Sequence, residues 1–310
     1  MPREGPDVPV SDGPTTTGRA RDSRDRYPRA ARWQPATVLT QLADVTGVVL
    51  TDAGRCRGGQ IGASYVRWPD GHLSVLTARS PNELAAARLV EDLTAVGRAA
   101  GVPAPRCELI AELPSVTAIV QELLPGTVPA TASRQIVAGM VAVNQRCRGL
   151  LADRSNLPAP SLYLRTDGPG FCLHGPMASY DKATARLLAA VEEIGAAEPD
   201  CLTGMDLVHF DFHPENVLVT PSGRISGVFD WDGANRSDGT FDLFTLRFVL
   251  ARIAPELGHW LGGLLRETAA PHVLRACWAH MSLRLIDWSI RELTTADVCA
   301  WVQVATNLMP

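Results

Sequence analysis

Lysine is almost missing from this chain of 310 residues: among 29 basic side chains only Lys182 is a lysine. Chemistry that relies on a placed amine therefore has one candidate, and the remaining positive charge is the permanent charge of arginine. Paired cysteines are missing too. The seven cysteines, at 56, 107, 147, 172, 201, 277 and 299, lie far apart with no CxxC pair. That spacing argues against a zinc ribbon or a disulfide framework and leaves buried or idle thiols. No apolar run approaches the roughly 20 residues that span a bilayer, and the N-terminal segment has no apolar signal core. A cytoplasmic protein without a membrane partner is expected. The net charge of -4, with no Lys/Arg cluster interleaved with aromatics, argues against nucleic acid and for small-molecule partners.

What is present suffices for a sizeable core. With 46% hydrophobic residues and 23 prolines scattered among patterned segments, the chain can bury one large core or two modest ones. A compact two-lobed enzyme, monomeric or homodimeric, fits. Residues 1–30 hold too little apolar surface to offset ordering entropy and are expected to be a disordered tail. From about Pro35 the stretches VTGVVLTDAGRC, IGASYVRW and LSVLTAR look like strands, the last two joined across the turn residues Pro69, Asp70 and Gly71. Asn82 is placed to cap a helix from 83 to 97 with an apolar stripe at Leu84, Leu89, Val90, Leu93 and Val96. Strands CELIAEL and TAIVQELL follow, and Pro125 with Gly126 closes this unit. Beyond it the periodicity is helical, over about 132–152, 179–195 behind Ser179 or Asp181, 242–268, and 271–308 with breaks. One β-rich island, 207–231, interrupts these helices. The expected fold is α+β: a small antiparallel-sheet lobe over 31–124 and a larger, mostly helical lobe over 125–310.

The island opens with HFDFHPENVLV, residues 209–219. His209 and His213 have the four-residue separation of zinc enzymes of the HExxH type, but Phe210 stands where the glutamate belongs and Pro214 disrupts a helix through the site. Zinc is excluded on geometry. Phosphoryl transfer needs a carboxylate near the attacking hydroxyl, with an amide oxygen and a second carboxylate to hold the metal ions on the nucleotide phosphates. Asp211, Asn216 and Asp230 supply these three. Asn216 and Asp230 sit at the two open ends of a short hairpin turning at Ser222 and Gly223, and Asp211 lies just before it.

HFDFHPEN followed by FDWDGA resembles the aminoglycoside phosphotransferase and small-molecule kinase superfamily, whose motif is HxDxxxxN with a metal aspartate in a DW segment. The resemblance spans roughly 45–310 and is specific at 207–242. It implies a two-lobed protein-kinase-like fold. It also implies Asp211 as the catalytic carboxylate, Asn216 and Asp230 as Mg²⁺ ligands, ATP or GTP as donor, and His209 as a scaffold of the catalytic loop. His213 and Glu215 are candidates either for contact with the acceptor or for stiffening the loop, Asp232 for holding the loop or facing the acceptor, and Asp242 reads as the N-cap of the next helix.

The first lobe departs from the family pattern. Its strand lysine, which meets the phosphates and pairs with a helix glutamate, is absent, and its place falls near Thr77. Arg79 lies on the same strand face two residues on, with Glu83 or Glu91 as its expected partner. In the glycine loop GGQIGAS, Gly62 and Ser64 are candidates for covering the phosphates with their backbone N–H groups, and the connector VQELLPG would offer the backbone of Glu122 and Leu123 to a purine. From residue 200 onward the chain has 13 acids against 8 arginines, which would attract a cationic acceptor. The implied activity is O-phosphorylation of an antibiotic or related natural product, for resistance or biosynthesis. The alternatives are a primary-metabolite kinase (sugar, choline-like or amino-acid alcohol) and a catalytically idle nucleotide-binding regulator.

Overall fold

The computed structural model describes residues 33–56 and 62–310. The tail expected over 1–30 and most of the glycine loop, 57–61, lie outside the described residues. The chain enters its first lobe through a helix that the pattern had not indicated, α1 (Pro35–Thr46), with Pro35 at its start and Gly47 closing it at φ 73°. Both features are ordinary helix boundaries. The β-branched run after Ala43 had looked like strand, but β1 begins only at Thr51 and ends at Arg55.

Strands β2 (Ser64–Arg67), β3 (Leu73–Arg79), β4 (Cys107–Glu112) and β5 (Thr117–Glu122) complete an antiparallel sheet in the order β1-β2-β3-β5-β4. The β2–β3 hairpin turns over Pro69, Asp70 and Gly71, where φ 95° calls for glycine. Along β3 the burial alternates. Ser74, Leu76 and Ala78 are buried, and Leu76 and Ala78 pack with Val38 and Leu42 of α1. Val75, Thr77 and Arg79 occupy the opposite face.

Helix α2 (Leu84–Ala99) covers that opposite face, burying Ala87, Val90 and Leu93. Asn82 does not cap it. Asn82 sits at φ 68° with its N–H on the Glu112 carboxylate, and Glu83 takes the cap position without a side-chain bond.

The chain crosses to the second lobe at Gly126, φ 114°, where an added Cβ would collide with the Ser226 hydroxyl and the Val219 carbonyl. Helices α3 (Arg134–Arg146), α4 (His174–Tyr180) and α5 (Lys182–Ala197) come first. Asp181 rather than Ser179 caps α5, in a reciprocal box with Thr184. The island follows as β6 (Asp206–Val208), β7 (Val217–Val219), β8 (Ile225–Val228) and β9 (Asn235–Ser237), pairing β6 with β9 and β7 with β8.

Pro255 divides the expected helix 242–268 into α6 (Thr240–Ile253) and α7 (Pro255–Thr268). The last segment breaks at Leu293 into α8 (Pro271–Glu292) and α9 (Thr295–Asn307), the latter starting in a Thr294/Asp297 capping box. The fully buried Trp278 of α8 lies within the main core and donates its indole N–H to the Ala305 carbonyl. Among the described residues no helix is long and apolar enough to cross a membrane.

Candidate active site

The site is built on one strained turn. After β6, Phe210 adopts φ 66°, a region a bulky residue holds only when its surroundings impose it. The imposition is visible. Asp242, in the first turn of α6, accepts the N–H of His209 at Oδ2 and of Phe210 at Oδ1, each at 2.9 Å. Arg284 of α8 donates to the Phe210 carbonyl at 2.6 Å. Asp242 is therefore a brace for the turn at His209 and Phe210 and not a helix cap. Helix α6 starts two residues earlier than expected, which turns Asp242 inward to full burial. Burial pushes its carboxyl up to about 7 against the pull of the two backbone bonds.

The His209 ring is buried between Phe212 and Trp231. Burial lowers its pKa to about 4, so it is neutral. In that state it donates from Nε2 to the Phe229 carbonyl at 2.9 Å and accepts the Asp211 N–H at Nδ1 at 3.2 Å. These bonds tie the loop before β7 to the end of β8.

Asp211 thus leaves the loop in one orientation. Its Oδ1 takes Arg284 Nη2 at 2.8 Å, and its Oδ2 takes Asn216 Nδ2 at 3.1 Å. Burial raises its carboxyl, but Arg284, followed by His213 and His209, more than reverses this and holds it well below the usual carboxylate range. His213 Nε2 approaches Asp211 Oδ2 at 3.4 Å and Asn216 Nδ2 at 3.2 Å, and its Nδ1 accepts the Glu215 N–H. His213 is thereby bonded into the Asp211–Asn216 loop itself. Glu215 is exposed.

Asn216 ends a short 3₁₀ turn, Pro214–Asn216, with its Nδ2 on the Asp211 backbone and carboxylate. This consumes the amide nitrogen and leaves the amide oxygen for another ligand. Pairing of Val217 with Val228, and of the Phe229 N–H with the Asn216 carbonyl at 3.0 Å, brings the next residue, Asp230, to the same end of the hairpin. Asp230 stands at φ 64°. Desolvation, then Asp232, then Asp211 push its carboxyl up to about 6. No protein donor among the described residues reaches it. An acid held against its neighbours' charge and left without a hydrogen bond suits a divalent cation. Among the described residues no three His, Cys, Asp or Glu gather as a metal site on their own, so a cation here would draw further oxygens from phosphates or water.

Across the cleft the first-lobe candidates are rearranged. Arg79 pairs with neither Glu83 nor Glu91. Its Nη2 lies 2.7 Å from Asp232 Oδ1, so Asp232 faces the first lobe instead of standing free for an acceptor. Glu91 is engaged by Arg98 at 2.5 Å and by the Cys107 N–H, and Glu83 gives its N–H to Thr117. Ser64 pairs with Leu76 and is buried on the α1 face. Partners directly opposite share a face, so its side chain turns from the cleft, while the role expected of Ser64 belongs to its backbone N–H. Gly62 keeps a positive φ of 91°. In the connector, the Glu122 N–H is taken by the Arg106 carbonyl and cannot serve a purine, while Leu123 is exposed.

The acid surplus also has local uses. Asp206 accepts from Gly149 and Gly239, and Asp238 accepts from the Thr240 N–H. With Asp242, these acids hold loops and do not form an open acidic wall.

A sheet lobe over a helical lobe, with a carboxylate, an amide and a second carboxylate at one hairpin end, defines a phosphotransferase of the protein-kinase-like class, acting on an alcohol group of a small molecule. The chain belongs to the phosphotransferase enzyme family (APH), whose model matches residues 52–277. A comparison with curated proteins finds no match. Among solved structures, it is similar to a thermostable mutant of aminoglycoside phosphotransferase APH(4)-Ia in the apo form, with 18% identity, TM-score 0.59, and coverage of 87% of this chain and 97% of that one. The GDP and kanamycin complex of APH(2")-IIia is similar at 11% identity and TM-score 0.57, covering 88% and 98%. Macrolide 2'-phosphotransferase MphH from Brachybacterium faecium, an apoenzyme, is similar at 19% identity and TM-score 0.51, covering 87% and 97%. These likenesses are of fold.

Proposed function

We propose that this chain moves the γ-phosphoryl group of ATP or GTP to a hydroxyl of an antibiotic or related natural product. The observation that carries the reading is the contact of Asp211 with Asn216 at 3.1 Å beside Asp230, at one end of the β7–β8 hairpin. Two of the similar folds point the same way. A mutant of APH(4)-Ia forms a ternary complex with ADP and hygromycin B, and APH(2")-IIia binds GDP and kanamycin.

In this reading the acceptor hydroxyl donates to Asp211. Because Arg284 keeps that carboxylate ionised and weakly basic, Asp211 first orients the hydroxyl and takes its proton only late, as suits a loose transition state. The amide oxygen of Asn216 and the carboxylate of Asp230 would hold Mg²⁺, which when bound neutralises charge on the nucleotide phosphates. Arg79 adds a permanent positive charge from the other lobe.

The test is direct. Purified protein is incubated with Mg²⁺, ATP or GTP, and a panel of aminoglycosides, macrolides, cyclic peptides and nucleoside antibiotics, alongside sugars and amino alcohols. A mass gain of one phosphoryl group on an antibiotic supports the proposal. Transfer confined to primary metabolites, or nucleotide binding without transfer, refutes it.

A further inference from the structure

Arg79 and Asp232 join the two lobes. Arg79 ends β3 on the sheet's cleft face, and Asp232 lies in the short 3₁₀ turn, Trp231–Gly233, immediately after Asp230. The guanidinium donates to Asp232 Oδ1 at 2.7 Å and to the Asp232 backbone carbonyl at 3.3 Å. The arginine side chain is only 10% exposed, whereas the aspartate is 49% exposed.

Three further observations bear on the pair. Glu91 of α2, the acid expected to meet Arg79, is instead held by Arg98 and the Cys107 N–H. The single lysine, Lys182, opens α5 in the other lobe. Finally, the Nε of Arg79 is buried without any partner among the described residues. An orphaned charged donor is costly to bury, and the acid that grips the rest of this guanidinium, Asp232, lies two residues from Asp230.

We infer that Asp232 is the positioning residue of Arg79, holding the guanidinium so that its remaining donors meet the phosphates of the donor nucleotide. The inference rests on the function proposed above and adds the origin of the orienting acid: the loop that carries Asp230, and not α2. One short turn then sets both a metal ligand and the phosphate-binding cation. The cation is in place only while the lobes are apposed. Asp232 need not touch nucleotide itself, and a planar fork gripped on one side keeps its other donors pre-aimed.

The opposite arrangement, in which Asp232 holds Arg79 away from the phosphates, predicts the opposite sign, so one experiment decides. Calorimetry on the full chain measures binding of Mg-ATP and Mg-GTP by the wild type, Asp232→Asn, Asp232→Glu, Arg79→Ala and the Asp232→Asn/Arg79→Ala double variant. Asp232→Asn and Arg79→Ala each weaken binding by about tenfold, a difference of ~1.4 kcal/mol. The double variant is no worse than Arg79→Ala, because the two act as one unit, and Asp232→Glu recovers most of the loss. Tighter or unchanged binding by Asp232→Asn, or additive losses in the double variant, overturns the inference while leaving the proposed function standing. A wild-type chain that binds neither nucleotide overturns both. A melting curve for each variant separates lost affinity from lost fold, and recovery by Asp232→Glu excludes a purely structural effect.

Discussion

Arg284 lies 73 residues beyond Asp211 in the sequence and 2.8 Å from its carboxylate in space, while gripping the carbonyl of the strained Phe210 with its other nitrogen. One guanidinium therefore fixes both the backbone that presents Asp211 and the rotamer of its side chain. Lysine can satisfy only one of these two points. Arg284→Lys is expected to lower kcat by roughly tenfold and Arg284→Ala by about a hundredfold, with the nucleotide KM nearly unchanged. Because both partners are partly exposed, the stability loss for Arg284→Ala is about 1–3 kcal/mol. Steady-state kinetics and denaturant melts measure the two effects, and an unchanged kcat in both variants would refute the role.

Asp211→Asn removes the charge that the proposed function assigns to orienting the hydroxyl but keeps the shape of the loop. Turnover is expected to fall by about 10²–10⁴, the range for a lost acid-base group, while Mg-nucleotide affinity stays within about threefold of wild type. Parallel calorimetry and phosphate-transfer assays report both. Loss of nucleotide binding equal to the loss of turnover would place Asp211 among the binding residues instead.

Much of this site was legible because its signals are local. His209, Asp211 and Asn216 fall within eight positions, and the Ser222, Gly223 turn returns the chain to Asp230. Two-lobed architecture followed from a strand-rich first part and helical periodicity after Gly126. What stayed hidden depends on tertiary apposition. Arg284 is one arginine among many at helical spacing, and nothing near it marks it as the partner of Asp211. Asp242 in TFDLF looked like a cap because helix starts are uncertain by a residue or two. For Arg79 the expected partner came from a pattern with the glutamate on α2. Here Arg98, seven residues along the same helix, had already claimed Glu91. Helix α1 was missed because Val45, Val48 and Val49 resemble a strand when the closing Gly47 is read as part of it.

Asp242 gives the fold a pH dependence of defined sign. Its carboxyl is pushed up to about 7 in the folded chain from an ordinary 3.8. Between these values the folded state binds more protons than the unfolded state, so this group's contribution to stability falls as pH rises through the window. Asp242→Asn lacks the titration but loses one acceptor for the His209 or Phe210 N–H, at about 1–3 kcal/mol. The variant is therefore less stable than wild type at pH 4.5, and the gap narrows toward pH 7.5. Denaturant melts at the two pH values test this, and a gap that stays constant would show that the titration is not coupled to folding.

Asp230 carries the last prediction, a trade between stability and binding. Its carboxylate is crowded by Asp232 and Asp211, has no hydrogen-bond donor among the described residues, and sits on a left-handed backbone. Without a cation, ionised Asp230 strains the site, so Asp230→Asn relieves repulsion and raises the melting temperature of the unliganded protein. Because Asp230 is exposed to the cleft, solvent screening limits the gain to about 0–1 kcal/mol. The same substitution removes the charged ligand that suits Mg²⁺, so the stabilisation that Mg²⁺ and nucleotide together give the wild type, about 2.7 kcal/mol at a hundred times Kd, should largely vanish. Melting curves with and without Mg²⁺, nucleotide and EDTA read both halves at once. A variant that loses unliganded stability yet keeps its response to Mg²⁺ would make Asp230 a structural residue and leave the metal to other ligands. A variant that gains stability and loses the response joins the strain at Asp230 to its use.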